Sequence, residues 1–124
     1  MAKILVVDDS TLARRTTRKI LETAGYEVVE AEDGLAALER YYLEKPQVVV
    51  LDVTMKNMDG IEVLNRLRDL DKVAKVVIVT ADVQTSTREM AEAGGASGFV
   101  IKPVLAKPLL EAIRKALGLE ASCN

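Results

Sequence analysis

Short apolar runs that alternate with segments of helical spacing constrain the fold of this chain more than any other feature. Such continuous runs, rich in β-branched residues and leucine, are typical of strands buried on both faces of a parallel sheet. We predict five strands, which are Ile4–Val7, Glu27–Glu30, Val48–Leu51, Val76–Val79 and Phe99–Ile101. The second strand is less apolar than the others, so we expect it at an edge of the sheet. Strands and helices in alternation indicate an α/β fold with right-handed crossovers.

Capping signals and helical spacing predict a helix after each strand. The helices are expected from Asp9-Ser10 to Gly25, from Asp33-Gly34 to Pro46, over Met58–Leu70, over about Gln84–Ala93, and from the turn with Pro108 to Gly118. The fourth helix is poor in apolar residues. In chain order, the residues expected to face the core are Ala13, Thr17, Ile20, Leu21, Ala24, Leu35, Leu38, Tyr41, Ile61, Leu64, Leu67, Met90, Ala91, Ala93, Leu109, Leu110, Ile113, Ala116 and Leu117.

The composition is that of one globular domain, because 49% of the 124 residues are apolar and 29% are charged. We expect a single domain over residues 1–118, with a tail over 119–124. The single cysteine, Cys123, allows no internal disulfide, which suits a reducing compartment. Because no apolar stretch is long enough to span a membrane and no signal-peptide pattern is present, we expect a cytoplasmic protein.

The net charge of −2 provides no overall basic field, so we expect neither a nucleic acid nor a membrane as partner. One local basic cluster is present in the first helix, formed by Arg14, Arg15, Arg18 and Lys19. Two interpretations of this cluster remain open. It is either a solvated helix face or a docking patch for an acidic or phosphorylated partner.

Polar groups stand at the ends of four predicted strands. Asp8 and Asp9 follow the first strand, Asp52 the third, Thr80 the fourth and Lys102 the fifth. Each alone has an ordinary structural interpretation, such as a helix cap or a strand end. Because the carboxyl ends of parallel strands gather at one edge of the sheet, where ligands bind, we expect the five side chains to meet in one site.

These residue types fit phosphoryl chemistry that depends on a divalent cation. Carboxylate oxygens suit Mg²⁺, with Mn²⁺ as a possible substitute. Crowded carboxylates repel one another, so a cation or a lysine must offset them, and Lys102 can do so and can also bind phosphate. A carboxylate can itself act as the nucleophile and form an aspartyl phosphate. Asp52 is the expected nucleophile because it ends the most apolar strand, which should be central.

Four motifs together resemble those of response-regulator receiver domains, in particular the stand-alone chemotaxis type. They are VDDS, LDVTMKNMDG, VTAD and GASGFVIKP, and the resemblance covers residues from about 2 to 118. It implies a flavodoxin-like, doubly wound five-stranded parallel sheet with five helices. The implied strand order is 2-1-3-4-5, for which chemotaxis proteins of this family are themselves a standard example.

The resemblance also implies a role for each site residue. Asp52 is the phosphoacceptor, which Thr80 and Lys102 contact. Thr80 and Phe99 are the switch residues: Thr80 turns toward the phosphoryl group, and the Phe99 rotamer changes on activation. The metal ligands are Asp8, Asp9, Asp52 and the main-chain carbonyl of Thr54. The positions expected to modulate the reaction are Thr54, Lys56, Ala81 and Asp82. Lys56 departs from the family, which often has proline there, and the Lys102-Pro103 bond is expected to be cis.

The expected function is that of a phospho-accepting switch, not an enzyme that turns over a metabolite. A histidine kinase or phosphotransfer protein would donate the phosphoryl group to a monomer. A downstream protein would then bind the face formed by the fourth helix, fifth strand and fifth helix. The alternatives are a constitutive binding module, a magnesium-dependent phosphohydrolase and a flavin-binding carrier. The hydrolase usually carries an Asp-x-Asp pattern on its first strand, and Asp8-Asp9 would repel a flavin phosphate.

Overall fold

The computed structural model describes residues 2–53, 59–81 and 85–119, with residue 85 described in its backbone only. Five parallel strands form one sheet in the order β2-β1-β3-β4-β5. The strands are β1 (Lys3–Val7), β2 (Glu27–Ala31), β3 (Val48–Asp52), β4 (Val76–Thr80) and β5 (Gly98–Ile101). This is the doubly wound flavodoxin-like order, so the predicted fold class is confirmed.

Helices cover both faces of the sheet. They are α1 (Thr11–Thr23), α2 (Gly34–Glu44), α3 (Gly60–Leu70), α4 (Thr85–Ala93) and α5 (Ala106–Ala116). Helices α1 and α5 share one hydrophobic core with one side of the sheet. Helices α2, α3 and α4 share the other core. Within the three described ranges, no helix is both long and apolar enough to cross a bilayer.

Burial of the strands follows their place in the sheet. Every residue of β3 and β4 is buried, whereas β2 and β5, at the two edges, are partly exposed. This confirms the prediction that the less apolar second strand lies at an edge. It also means that the polar residues ending β3 and β4 are placed in the interior by the strands that carry them.

Side-chain caps fix where three helices begin. Ser10 accepts a hydrogen bond from the N–H of Ala13, and Asp33 accepts one from Ala36. These two caps confirm the predicted starts of α1 and α2. Asp59 caps α3 through the N–H of Ile61, so the helix begins at Gly60. The predicted start at Met58 lies outside the described residues.

Four residues predicted to face the core are exposed instead: Ala24, Leu35, Met90 and Ala93. Leu35 is 72% exposed because the buried side of α2 starts one position earlier, at Gly34, and continues through Ala37. In α4, Ala91 faces the core, which turns the adjacent Met90 outward at 50% exposure. Ala24 follows the last residue of α1 and serves as its C-cap.

Gly60 lets the start of α3 lie directly against the end of β3. A Cβ atom on this residue would be 2.3 Å from Val53 Cα and 2.7 Å from the carbonyl oxygen of Asp52. Both neighbours are main-chain atoms, which cannot rotate away as a side chain can. The close approach therefore couples α3 to the backbone that carries Asp52.

We predict that Gly60→Ala lowers the free energy of unfolding by about 2 kcal/mol or more, because the added methyl must push two backbone segments apart. The measurement is urea unfolding followed by circular dichroism. Asp69→Ala, on the exposed side of the same helix, is the control and should stay within about 0.5 kcal/mol of the parent. Equal stability of the two variants would contradict the close packing at Gly60.

Candidate functional site

The ends of four strands meet at one edge of the sheet. Asp52 lies opposite Val79 in the β3–β4 register, so Thr80 stands one residue beyond Asp52 on the neighbouring strand. Asp8 comes directly after β1, and Lys102 directly after β5. This arrangement is the convergence that parallel strands produce at their carboxyl ends.

Three carboxylates form a compact acidic cluster at this edge. One oxygen from each of Asp8, Asp9 and Asp52 lies within 4.8 Å of the other two. Asp8 and Asp52 are only 5% and 3% exposed, whereas Asp9 lies at the surface. Hard oxygen donors in this number and spacing suit a divalent cation such as Mg²⁺, which usually keeps several waters. The donor set therefore fits the predicted metal.

Lys102 brings a positive charge into the same cluster. Its Nζ donates to Asp52 Oδ2 at 3.0 Å and to Asp8 Oδ2 at 3.3 Å. The ammonium thus lies between the two buried carboxylates and joins the ends of β5, β3 and β1. Because two like charges in a buried site repel each other, the shared lysine offsets a repulsion that would otherwise favour protonation of one carboxyl.

Burial and neighbouring charges shift the pKa values of this cluster. Burial raises the pKa of Asp8, as does the charge of Asp52, although the Ser10 N–H and Lys102 oppose the shift. Burial alone would lower the pKa of Lys102, but its hydrogen bonds and charge interactions with Asp52 and Asp8 outweigh that effect and raise it. Lys102 therefore stays protonated in the folded state at neutral pH.

The end of β1 is held by several polar contacts. The Ser10 N–H donates to Asp8 Oδ1 at 2.9 Å, which leaves Asp8 Oδ2 toward Lys102. The Asp8 N–H donates to the carbonyl of Ala31 at 3.2 Å. Arg14 Nη1 donates to the carbonyl oxygen of Asp8 at 2.6 Å. Sequence reasoning did not assign Arg14 to the site, because a side chain that binds a main-chain oxygen leaves no motif.

The other predicted site residues are placed as follows. Thr80 is fully buried at the end of β4, and Ala81 beside it is exposed. Thr54, Lys56 and Asp82 lie outside the described residues. The Lys102-Pro103 bond is cis, as expected.

Phe99 lies away from the carboxylates, on the outer strand β5. It is partly buried and packs against the core that α2, α3 and α4 share. The guanidinium carbon of Arg88, on α4, lies 5.3 Å from the centre of its ring, within the range of a cation–π contact. The two residues line a groove of about 470 Å³ between α4, β5 and α5.

Comparison with known proteins agrees with this geometry. The family model for the response regulator receiver domain matches residues 4–114. The chemotaxis protein CheY of Bacillus subtilis (strain 168) is 40% identical over 116 residues, which is 93% of this chain and 97% of that protein. The structure of Vibrio cholerae chemotaxis protein CheY4 has a TM-score of 0.89 and 32% identity, covering 94% of this chain and 98% of that one.

A further similar structure is the CheX-CheY-BeF3-Mg+2 complex from Borrelia burgdorferi, with a TM-score of 0.89 and 28% identity. It covers 94% of this chain and 89% of that chain.

The doubly wound sheet and the acidic cluster beside a lysine define a class of α/β signalling domains. More specifically, the chain belongs to the family of response regulator receiver domains. Members of this family serve two-component signalling, bind Mg²⁺ through an acidic pocket and interact with kinases and downstream proteins.

We predict that Asp9→Ala weakens Mg²⁺ binding at least tenfold, about 1.4 kcal/mol, because it removes a charged oxygen donor from the cluster. The measurement is calorimetric titration with Mg²⁺. Glu27→Ala removes an exposed carboxylate at the start of β2, at the opposite edge of the sheet, and serves as the control. An unchanged affinity in Asp9→Ala would mean that this residue is not a ligand.

Proposed function

We propose that this chain is a signalling switch that accepts a phosphoryl group on Asp52. The observation that supports this role best is the buried carboxylate of Asp52 held 3.0 Å from Lys102 inside a cluster of three carboxylates. A carboxylate that served stability alone would need only its ion pair. Two further acidic groups at the same point are a feature of a site built for a cation and an anionic ligand.

In the proposed reaction, an oxygen of Asp52 attacks the phosphorus of a phosphohistidine on a kinase or phosphotransfer protein. The new P–O bond forms as the P–N bond breaks, and the electron pair stays on the imidazole nitrogen. Positioning and charge neutralisation contribute more to such a transfer than covalent help from the protein. Lys102 supplies a fixed positive charge, because its ammonium already lies between Asp52 and Asp8.

The residues proposed to hold the metal are Asp8, Asp9 and Asp52, with the main-chain carbonyl of Thr54 as an expected further ligand. Mg²⁺, or Mn²⁺ in its place, would supply the charge that neutralises the phosphoryl oxygens. Support comes from the spacing of the three carboxylates. The related Borrelia burgdorferi structure is of a complex with Mg²⁺ and a beryllium fluoride.

Phosphorylation is proposed to act through Thr80 and Phe99. The phosphoryl oxygens on Asp52 would attract the Thr80 hydroxyl, and that motion would open space for the Phe99 ring beneath α4. A ligand shifts a conformational equilibrium only if it contacts the two states differently, and Thr80 provides that difference. The weak anchoring of α4 supports this route, since Ala91 is the one fully buried residue among its described side chains.

The proposed output surface is the face formed by α4, β5 and α5, where a downstream protein would bind. The groove between these elements lies within reach of Phe99, so a ring rotation would change its shape. In the related Borrelia burgdorferi structure, CheY is in complex with CheX. We further propose that residues 1–118 act as one monomeric domain. It would catalyse only its own phosphorylation and dephosphorylation.

Four positions are proposed to modulate the lifetime of the phosphoryl group. Ala81 is small and exposed beside Thr80, which would leave the site open to donors and to water. Thr54 and Lys56 follow Asp52, and Asp82 follows Ala81, so their side chains are expected to flank the same approach.

We predict that acetyl phosphate with Mg²⁺ labels the chain once, on Asp52, as mapped by mass spectrometry of the reduced adduct. Asp52→Asn should abolish the label because an amide is not a nucleophile here. Asp33→Asn is the matched control, since asparagine still caps α2, and it should label normally. Labelling that survives Asp52→Asn would exclude the assignment, and partner binding without any label would favour a constitutive module.

We predict that Thr80→Ala still accepts the phosphoryl group but loses the response of α4 and β5. The measurement is hydrogen–deuterium exchange of peptides covering residues 85–101, with and without acetyl phosphate. Thr80→Ser keeps the hydroxyl and should retain the response. A full response in Thr80→Ala would show that the signal reaches α4 by another route.

A further inference from the structure

We propose that Arg14 is a positioning residue for the metal site, because it fixes the peptide that joins Asp8 to Asp9. The inference rests on the proposed function, in which these two carboxylates bind Mg²⁺. Arg14 does not touch the metal or the phosphoryl group in this scheme. Its role is to hold the main chain from which the surface ligand, Asp9, extends.

Arg14 binds three partners in three directions. Its Nη1 donates to the Asp8 carbonyl oxygen at 2.6 Å, and its Nε donates to Glu30 Oε1 at 3.0 Å. Its Nη2 lies 3.4 Å from the hydroxyl of Thr11. The side chain is only 12% exposed, so these bonds are shielded from water more than those of an ordinary surface arginine. The guanidinium plane is therefore held in one orientation.

The position of the Asp8 carbonyl determines the backbone direction at Asp9. This carbonyl belongs to the planar peptide unit that also contains the N–H of Asp9, so fixing this oxygen fixes the direction in which the chain enters Asp9. Asp8 is buried and is further held by the Ser10 N–H and by Lys102. Asp9 is exposed, so packing constrains it less than Asp8, and the orientation of its backbone matters more.

Glu30 anchors Arg14 from the neighbouring strand. Glu30 accepts a hydrogen bond from Arg14 Nε and another, at 2.6 Å, from Arg18 Nη1. The bond from Arg18 and, to a smaller extent, the bond from Arg14 lower the pKa of Glu30, although its burial acts in the opposite direction. Glu30 lies opposite Val6 in the β1–β2 register, and Val6 is two residues before Asp8 in the chain. Arg14 thus connects the end of β1 to an ionised group on β2.

A lysine could not replace Arg14 in both contacts. The guanidinium presents donors along separate edges of a rigid plane, so Nη1 and Nε reach the carbonyl and the carboxylate at once. An ammonium donates from a single nitrogen, so a lysine at this position could not occupy the places of both Nη1 and Nε.

The basic cluster of the first helix is therefore not one surface. Arg14 and Arg18 turn toward Glu30, whereas Arg15 and Lys19 are exposed. Arg18 offers a matched control, because it shares Glu30 with Arg14 but directs its other hydrogen bond to Glu22, where Arg14 donates to the Asp8 carbonyl.

The test compares Mg²⁺ dissociation constants of the parent, Arg14→Met, Arg14→Lys and Arg18→Met by calorimetry. We expect Arg14→Met to weaken binding about tenfold, as is typical when a group that orients a metal ligand is lost. Arg14→Lys should also weaken it, although the charge is kept. Arg18→Met should stay within about twofold of the parent, because a half-exposed ion pair contributes little.

The sign of the effect separates positioning from simple electrostatics. Removing a positive charge near a cation site should by itself strengthen Mg²⁺ binding, since the repulsion falls. Weaker binding in Arg14→Met therefore requires a loss of geometry. Amide NMR spectra of each variant without metal would establish that it is folded, with changes in Arg14→Met centred on Asp9 and Ser10.

An affinity in Arg14→Met equal to that of the parent would overturn this inference and leave the proposed function intact. Equal weakening in Arg14→Met and Arg18→Met would also overturn it, because the loss would then belong to the Glu30 network as a whole. A parent protein that binds no Mg²⁺ would overturn the proposed function together with this inference.

Discussion

The shared ion pair of Lys102 with Asp52 and Asp8 is the interaction on which the rest of the site depends. Two carboxylates that are almost completely buried cannot both remain ionised at short range unless a positive charge lies between them. Removing one member of such a buried group is strongly destabilising, because it leaves an uncompensated charge. The two salt bridges of Lys102 also link the carboxyl ends of three strands, β5, β3 and β1.

The ion pair neutralises only part of the negative charge of the cluster. Among the residues that the structure describes here, the single ammonium of Lys102 lies beside three carboxylates, whose charges exceed its own and favour a cation. If a metal and a phosphoryl group bound here, Lys102 would exchange a carboxylate partner for a phosphoryl oxygen, and positive and negative groups would still face each other in the site. Of the two residues proposed to act as a switch, Thr80 is buried at the end of β4, beside the strand that carries Asp52, and Phe99 lies further away, on β5. Strand β4, which carries Thr80, thus lies between the strand of Asp52 and the strand of Phe99.

Much of the fold and the central site could be predicted from the sequence. Each buried strand is a continuous apolar run that stops at a polar residue, so strand ends and site residues such as Asp52 carry one signal. The strand order came from family resemblance, because periodicity does not state which strands are neighbours. The inward predictions for Leu35 and Met90 were wrong for different reasons. Helix α2 carries apolar residues on more than one side, and α4 has too few apolar residues to define its buried side.

The contacts around the acidic pair could not be predicted in the same way. Arg14 binds a main-chain oxygen of Asp8 and a carboxylate on β2, and neither contact depends on a residue pattern that spacing reveals. The sequence showed a basic cluster and left two interpretations open. Only the packing of α1 against the β1–β2 edge separates the inward Arg14 from the exposed Arg15.

The four strand ends are proposed to act together as one ligand site. The most direct measurement is amide NMR during titration with Mg²⁺ and beryllium fluoride, a mimic of the phosphoryl group. We expect a one-to-one transition in which the amide signals of Asp9, Asp52, Ala81 and Lys102 change with the same midpoint. Changes confined to Asp8 and Asp9, or different midpoints at the separate strand ends, would contradict it.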